Sequence, residues 1–263
     1  MSDRPREVEG VLLVAADDQE AVGRKVAGLE EVDRFLLRHR PAQRIRDVYL
    51  DTGDGALAAA RVAFRVRELD GRPLLTLKAD AVRSGLAAER LELEAPWSAA
   101  ALATTLEELR RRGIQLPELR QGAGVGEPLA ELDGLGLRPA QVRETTRTPR
   151  DVLERGGEAA GPVAELTLDD VGYRLPAGTA RLLEVEVEAK GPGGLETVQA
   201  LLGALAGAFA GELRPWPYGK LATGRAVEEL LAAGRLEGLL DADARIRPAA
   251  HQRLAEFLEQ NSP

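Results

Sequence analysis

One stretch constrains the fold more than any other: residues 182–190, which read Leu-Leu-Glu-Val-Glu-Val-Glu-Ala-Lys. Its glutamates alternate with apolar residues, and strand side chains point alternately to two faces. The stretch therefore predicts a β-strand with one charged and one apolar face. The same alternation occurs in residues 7–9 and again in residues 90–94. Charged strand faces are thus expected in several parts of one sheet.

The remaining periodicities predict many strands with a few inserted helices. Further strands are predicted for residues 5–14, 44–51, 61–69, 73–79, 89–94, 142–148, 151–155 and 163–170. The spacing of apolar residues predicts helices for residues 17–40 (with a possible break near Gly28), 98–112, 195–209, 220–233 and 248–260. A flexible loop is predicted for residues 121–137. This order indicates an α+β fold or a barrel rather than regular βαβ units.

The charged strand faces leave two architectures open. An antiparallel sheet can expose its polar face to water and pack its apolar face on a core. Alternatively, about eight strands can close into a barrel whose charged face lines the lumen and whose apolar face lies under covering helices.

Composition removes several classes of function. The chain has no cysteine and two histidines, which excludes thiolate and histidine-rich metal sites and disfavours a Ser-His-Asp triad. A metal would therefore be a hard ion with oxygen ligands, such as Mg²⁺ or Mn²⁺. The net charge of −8 argues against nucleic acid as a partner. Because no secretory segment and no long apolar run are apparent, we expect no membrane partner and a cytoplasmic location.

The polar strand faces mix carboxylates with arginine and lysine. The acids are Glu7, Glu9, Glu92, Glu94, Glu165, Asp169, Glu184, Glu186 and Glu188, and the bases are Arg61, Arg65, Arg67, Lys78, Arg90, Arg143, Arg147 and Lys190. Guanidinium groups bind phosphate oxygens, and carboxylates bind divalent metals that bridge phosphates. A phosphorylated small ligand with a divalent metal is the expectation for such a lumen.

These residues, taken in order, resemble the CYTH superfamily of triphosphate tunnel metalloenzymes. The resembling segments are Glu7-Val-Glu9, Tyr49-Leu-Asp-Thr52, Arg61-Val-Ala-Phe-Arg65-Val-Arg67, Leu75-Thr-Leu-Lys78, Arg90-Leu-Glu92-Leu-Glu94, Arg147, the pair Glu165 and Asp169, the run Glu184 to Lys190, and Lys220. They are most similar to the CYTH domains of bacterial inorganic triphosphatases, and no CHAD domain is expected. The predicted domains are a tunnel domain, residues 1–225, and a helical tail, residues 226–263, that docks on the barrel or mediates a homodimer.

The resemblance implies a closed eight-stranded tunnel that hydrolyses a triphosphate or related phosphoanhydride with Mg²⁺ or Mn²⁺. The implied metal ligands are Glu7, Glu9, Asp169, Glu184 and Glu186. The implied substrate-binding residues are Arg65, Arg67, Lys78, Arg90, Arg147 and Lys220, and the implied catalytic residues are Glu7, Glu9, Lys78 and Arg147. Candidate substrates are inorganic triphosphate, thiamine triphosphate and nucleoside triphosphates.

The sequence departs from the family pattern at one residue and in one segment. Val11 stands where the family has the lysine of its first motif, and strand parity places Val11 on the face of Glu7 and Glu9. The segment from Gly219 to Gly224 lacks an acid–arginine pair found in the family. These departures keep a second hypothesis open, in which the tunnel binds a phosphorylated ligand or polyphosphate without hydrolysis or with a different chemistry. A nucleotide cyclase is a third, lower-ranked alternative.

Overall fold

The computed structural model describes residues 5–120, 122–191 and 193–261. The remaining positions of the predicted domain (1–4, 121 and 192) and of the predicted tail (262 and 263) lie outside the described residues. The strands are β1 Arg6–Val14, β2 Glu31–Val32, β3 Phe35–His39, β4 Gln43–Thr52, β5 Ala63–Leu69, β6 Arg72–Ser84, β7 Ala87–Pro96, β8 Leu137–Glu154, β9 Ala164–Leu175, β10 Gly178–Ala189 and β11 Leu213–Pro215. The α-helices are α1 Gln19–Ala27, α2 Ala56–Ala59, α3 Ala99–Arg111, α4 Pro128–Asp133, α5 Gly194–Ala208, α6 Lys220–Ala232 and α7 Pro248–Gln260.

Eight strands form a closed antiparallel barrel. Their order is β8-β4-β5-β6-β7-β1-β10-β9, and β9 pairs with β8 again. The short strands β2 and β3 extend from β8, and β11 pairs with β1. The predicted barrel with a charged lumen and covering helices is confirmed, and the alternative of a half-solvated open sheet is wrong. None of the described helices is both long and apolar enough to cross a membrane.

The chain divides into two compact units. The first comprises Pro5 and Arg6 with Ile45–Ala81 and Arg90–Arg143. In its core the apolar faces of β4 to β7 pack with leucines of α3, which include Leu102 and Leu106. The hydroxyl of Ser98 accepts a hydrogen bond from the Ala101 amide and caps α3.

The second unit comprises Glu7–Arg44, Val82–Glu89 and the described residues from Glu144 onwards. It has two apolar clusters. In the first, Val185 and Val187 of β10 pack with leucines of α5, so the apolar face of the opening stretch is the helix-covered one. The second, the C-terminal cluster, joins residues of β1, β9 and β10, among them Val11, to Trp216, α6 and α7.

Asp70 and Gly71 form the tight turn between β5 and β6. Both residues have positive φ, 51° and 74°. Two successive left-handed residues match the twist of paired strands, and aspartate and glycine tolerate this conformation. The turn fixes the register in which Arg65 lies opposite Thr76.

The break expected near Gly28 is the end of helix α1 at Ala27, whereas the helical spacing predicted from there to residue 40 is wrong. The residues after α1 form the β2–β3 hairpin, whose strand β3 pairs with β8. The spacing of Val32, Phe35 and Leu36 fits a helical period, but pairing with β8 decides the conformation. Consequently His39 lies on a strand rather than on the first helix.

Three further strand and loop predictions need correction. Strand β5 begins at Ala63, since Arg61 is exposed with a φ of 55°. The two strands predicted between residues 142 and 155 are one strand, β8. The predicted flexible loop contains α4, and the Glu131 carboxylate accepts hydrogen bonds from the amides of Gly124 and Gly126. These amides are therefore engaged within the loop.

We predict a pH-dependent loss of stability that depends on His251. This side chain of α7 is buried, and its burial together with the charge of Arg214 lowers its pKa to about 4. An unfolded histidine titrates near 6.5, so the unfolded state binds more protons and stability falls as the pH drops from about 6.5 to about 4. The complete loss amounts to about 3 kcal/mol.

Urea unfolding at several pH values measures this effect in the wild type and in His251→Leu. Other groups also titrate in this window, so the comparison is the difference between the two pH profiles. The leucine variant should lose the extra acid sensitivity, whereas His39→Gln, a change at an exposed histidine, should keep it. Parallel profiles for the wild type and His251→Leu would show that His251 does not titrate in this way.

Candidate functional site

Three carboxylates from neighbouring strands meet in the second unit. Asp169 lies on β9, Glu184 and Glu186 lie on β10, and Glu184 is the register partner of Asp169. One oxygen from each carboxylate lies within 4.8 Å of the others. All three side chains are buried. We call Asp169, Glu184 and Glu186 the acidic centre.

The local sequence explains why these acids share a face. Val185 and Val187 alternate with the two glutamates and are held under α5, so the glutamates must point to the opposite side. On β9, Leu166 and Leu168 occupy the same apolar cluster and leave Asp169 on the face of Glu184. Burial of the apolar residues therefore aligns the carboxylates.

Two cations contact the acidic centre. Arg147 of β8 donates hydrogen bonds from Nε and Nη2 to the two oxygens of Asp169, at 2.8 and 2.7 Å, and from Nη2 to Glu186 at 3.2 Å. Lys220, the first residue of α6, places Nζ 2.5 Å from Glu186 and 3.3 Å from Asp169. It also forms an ion pair with Glu184. Three buried acids thus share two buried bases.

The pKa values of the acidic centre separate because of these contacts. Burial raises the pKa of Asp169, but the positive charges of Arg147 and Lys220 outweigh it and lower the pKa overall. Burial raises the pKa of Glu184, and Lys220 offsets this only in part because the neighbouring carboxylates add to the increase. For Lys220, burial lowers the pKa, but the carboxylates hold it well above its usual value. Of these two acids, Asp169 therefore favours the charged form and Glu184 is the more readily protonated.

The donor set of the acidic centre fits a divalent cation. Its three carboxylates supply only hard oxygen donors, the ligand type of Mg²⁺ and Mn²⁺. Its three carboxylates also outnumber the cations that contact them, Arg147 and Lys220. The ammonium of Lys220 already demonstrates that the three carboxylates can converge on one cation.

The other two predicted metal ligands, Glu7 and Glu9, lie on β1. Glu9 is the register partner of Glu188, the residue after Val187 on β10. Burial, together with the negative charge of Glu7, raises the pKa of Glu188 to about 7, although Lys190 opposes this increase. Lys190 donates to Glu188 at 2.6 Å. Glu7 and Glu9 are thus placed in a carboxylate-rich group beside the acidic centre rather than within it.

Val11 shares the face of the acidic centre, because it is the register partner of Glu186. Its side chain is buried in the C-terminal cluster with Trp216 and residues of α6 and α7. The charged face of β1 therefore becomes apolar after Glu9. Helix α6, which contributes residues to this apolar cluster, also carries Lys220.

Three arginines converge in the first unit on one carboxylate. Arg67 donates to Asp47 at 2.9 and 3.3 Å, Arg143 donates to it at 3.3 Å, and Arg65 Nε lies 3.5 Å from it. Arg65 also donates to the hydroxyl of Tyr49 at 2.9 Å, and Arg143 donates to the same hydroxyl. We call Arg65, Arg67 and Arg143 the arginine cluster.

The arginine cluster carries more positive than negative charge. Burial raises the pKa of Asp47, but the three guanidinium groups outweigh it and hold the pKa far below its ordinary value. Glu94 adds a second carboxylate at 3.8 Å from Arg65 and 4.0 Å from Arg67, and accepts a hydrogen bond from Thr76 at 2.8 Å. Such an excess of guanidinium groups favours an anionic ligand.

Sequence reasoning missed Asp47 and Tyr49. A signal was present, because both alternate with the buried Val48 on β4. In register, Asp47 lies opposite Arg67 and Tyr49 opposite Arg65. The pairing of β4 with β5 therefore supplies the counter-charge of the predicted arginines.

The remaining predicted residues of the first unit lie on β6 and β7. Lys78 Nζ is 3.1 Å from Glu92, with both side chains largely buried. Arg90 is half-buried and shares the strand face of Glu92 and Glu94 by parity. The predicted substrate-binding residues thus fall into two groups: Arg65, Arg67, Lys78 and Arg90 in the first unit, and Arg147 and Lys220 in the second.

Comparison with known proteins agrees with this fold. Residues 24–205 match the CYTH domain. Among solved structures, HpAC1 from Hippeastrum, described as having a dominant triphosphatase activity, is 19% identical with a TM-score of 0.54, and the match covers 84% of this chain and 96% of that one. No curated protein matches the sequence.

Two other solved structures are similar at lower scores. A Bacillus halodurans protein, described as an adenylate cyclase candidate, is 18% identical with a TM-score of 0.45, covering 81% of this chain and 94% of that one. The PH1819 protein from Pyrococcus horikoshii is 16% identical with a TM-score of 0.45, covering 86% and 99%.

Proposed function

The chain belongs to the CYTH domain family, and from this premise we propose that it is a metal-dependent phosphohydrolase acting on a triphosphate or related phosphoanhydride. The observation that carries the proposal is the acidic centre, in which three buried carboxylates converge on one cation position beside a fixed arginine. Carboxylates for a metal next to guanidinium groups for phosphate are the parts that phosphoryl transfer requires.

We propose that Asp169, Glu184 and Glu186 hold Mg²⁺ or Mn²⁺, and that Glu7 and Glu9 assist from β1. The bound ion would neutralise charge on phosphate oxygens and lower the pKa of a bound water. Arg147 is positioned for phosphate oxygens because Asp169 fixes its guanidinium plane in a bidentate contact. Its pKa is raised well above the usual value by the carboxylates despite burial, so it stays positively charged.

Lys220 has two roles in this proposal. In the structure its ammonium neutralises the acidic centre. A divalent cation at the same carboxylates competes with it, and an ammonium released from them can contact phosphate. Lys220 therefore remains a proposed substrate-binding residue.

The arginine cluster is the second proposed phosphate-binding group. Arg65 and Arg67 are held by Asp47 in fixed orientations, and preorganised guanidinium groups bind phosphate at a smaller entropic cost. Lys78 and Arg90 are proposed to add positive charge on β6 and β7, although Glu92 already neutralises Lys78. HpAC1, described as having a dominant triphosphatase activity, shares this fold.

A substrate panel tests the proposal. Phosphate release is measured from tripolyphosphate, thiamine triphosphate and ATP, each with Mg²⁺, with Mn²⁺ and with a chelator. We expect release from at least one substrate with a divalent ion and none with the chelator. Absence of release from every substrate and with either ion would refute the enzymatic function.

Binding without hydrolysis is the second candidate, favoured by the apolar surroundings of Val11. An ammonium at this position would add one charge-assisted contact, typically worth about 1.5–3 kcal/mol. Calorimetric tripolyphosphate binding by a protein that releases no phosphate would support this candidate. Formation of cyclic AMP from ATP, measured in the same panel, would instead indicate a cyclase.

The proposed partner is a small phosphorylated substrate in the cytoplasm. The net charge of −8 opposes a polyanionic partner such as nucleic acid, and the positive charges of the strand faces are buried beside carboxylates.

A further inference from the structure

A second charged pocket lies on the opposite face of β9 from Asp169. It has a volume of about 480 Å³ and lies between α1, strands β8 to β10 and the segment before α7. Its charged and polar lining is Glu20, Arg24, Thr146, Thr148, Asp170, Arg181 and Arg245. We call it the outer pocket.

The outer pocket carries uncompensated positive charge. Arg181 donates to both oxygens of Asp170, at 3.2 and 2.5 Å, and Arg245 donates to one of them at 3.3 Å. Two guanidinium groups thus share one carboxylate. Arg24 brings a third guanidinium, which is paired only loosely with exposed Glu20 at 3.6 Å.

The backbone holds Arg245 in place. The Asp241 carboxylate accepts hydrogen bonds from the amides of Asp243 and Arg245, at 2.9 and 2.8 Å. Ala244 adopts a φ of 60°, which is unfavourable for alanine. The Arg181 amide donates to the Ala244 carbonyl at 2.8 Å and the Ile246 amide donates to the Arg181 carbonyl at 2.9 Å, so backbone hydrogen bonds flank Arg245. The side chain of Arg245 is only 8% exposed, whereas that of Arg181 is 37% exposed. The guanidinium of Arg245 is therefore held rigidly, and the guanidinium of Arg181 is accessible.

We propose that the outer pocket binds a free phosphate or pyrophosphate ion. Three arginines and two carboxylates leave one residual positive charge, which favours an anion, and guanidinium groups present paired N–H donors to phosphate oxygens. Thr146 and Thr148 are two residues apart on β8 and offer hydroxyl donors on the same side. The ligand contacts Arg181 and Arg245 directly, and Arg24 attracts it at the mouth. The acidic centre takes no part in this binding.

Phosphate titration of the metal-free protein tests the proposal. Amide NMR shifts are followed in EDTA with inorganic phosphate and, separately, pyrophosphate. We expect saturable shifts at residues 23–27, 146–148, 168–171, 181–183 and 244–246. Loss of one charge-assisted contact in Arg181→Gln should weaken binding about tenfold or more. Arg24→Gln, at an exposed position, should weaken it about threefold.

Thr148→Val keeps the shape of the side chain. It provides a second variant for the test if Arg181→Gln does not fold. It should also weaken binding, whereas Arg38→Gln, a change at an exposed arginine of β3, should not. Absence of saturable shifts in the outer pocket at millimolar anion, or equal binding by the wild type, Thr148→Val and Arg24→Gln, would overturn the proposal. Because no metal or hydrolysis is involved, these results are independent of the proposed enzymatic function.

Discussion

Lys220→Met is expected to destabilise the metal-free protein by about 3 kcal/mol at mildly alkaline pH. The lysine ammonium contacts all three carboxylates of the acidic centre. Its removal takes away the ion pair of Glu184 and one of the cations of Asp169 and Glu186, which keep Arg147. Methionine retains most of the apolar length of the side chain. The loss should shrink as the pH falls, because the uncompensated carboxylates can then bind protons.

Mn²⁺ should reverse much of this destabilisation. A divalent ion that binds the folded state alone raises its stability, and in the variant it no longer competes with an ammonium. The melting temperature is measured in EDTA and in Mn²⁺ for the wild type, for Lys220→Met and for Lys25→Met, whose surface ion pair with Glu212 is worth little. If the Lys220 variant were as stable as the Lys25 variant and unresponsive to Mn²⁺, Lys220 would not be neutralising a cation site.

Asp47→Asn is expected to cost about 3–5 kcal/mol, the largest effect in the first unit. The substitution preserves shape but removes the buried negative charge that faces Arg65, Arg67 and Arg143. Three guanidinium groups would then repel one another, and Glu94 at 3.8 Å from Arg65 would compensate them in part.

Tripolyphosphate should stabilise Asp47→Asn more than it stabilises the wild type, because a bound polyanion replaces the missing charge. Urea unfolding with and without tripolyphosphate, in EDTA, provides the measurement. Asp133→Asn is the matched control, since its carboxylate lies 3.7 Å from exposed Arg138. An equal effect of tripolyphosphate on Asp47→Asn and on the control would show that the arginine cluster does not bind phosphate chains.

The charged strand faces could be predicted because their signal is local. Alternation in residues 182–190 fixes which side chains share a face, whatever the partner strand is. The order of the motifs along the chain then indicated the family, and the family implied the closed barrel. Helix α3 was predictable from its cap Ser98 and its apolar periodicity, α7 from Pro248 at its start and its periodicity, and α5 from its apolar periodicity alone.

The features that the sequence did not predict depend on pairing between distant segments of the chain. Asp47 and Tyr49 become counter-groups of the arginine cluster only in the register of β4 with β5. The spacing after Gly28 suits either a helix or a hairpin, and β8 selects the hairpin. That Lys220 contacts the acidic centre follows from the position of α6, which no local pattern in β9 or β10 records.

The most direct test of the central claim is the Mn²⁺ dependence of phosphate release by the wild type and by Glu184→Gln, with tripolyphosphate as substrate. Burial already raises the pKa of Glu184, so glutamine resembles a protonated state that the fold tolerates. We predict that phosphate release by the wild type depends saturably on Mn²⁺. In a folded Glu184→Gln variant the rate should be roughly hundredfold lower, the size of effect expected when one charge that stabilises the transition state is lost. Equal rates and equal metal dependence in both proteins would contradict the assignment of the acidic centre as the metal site.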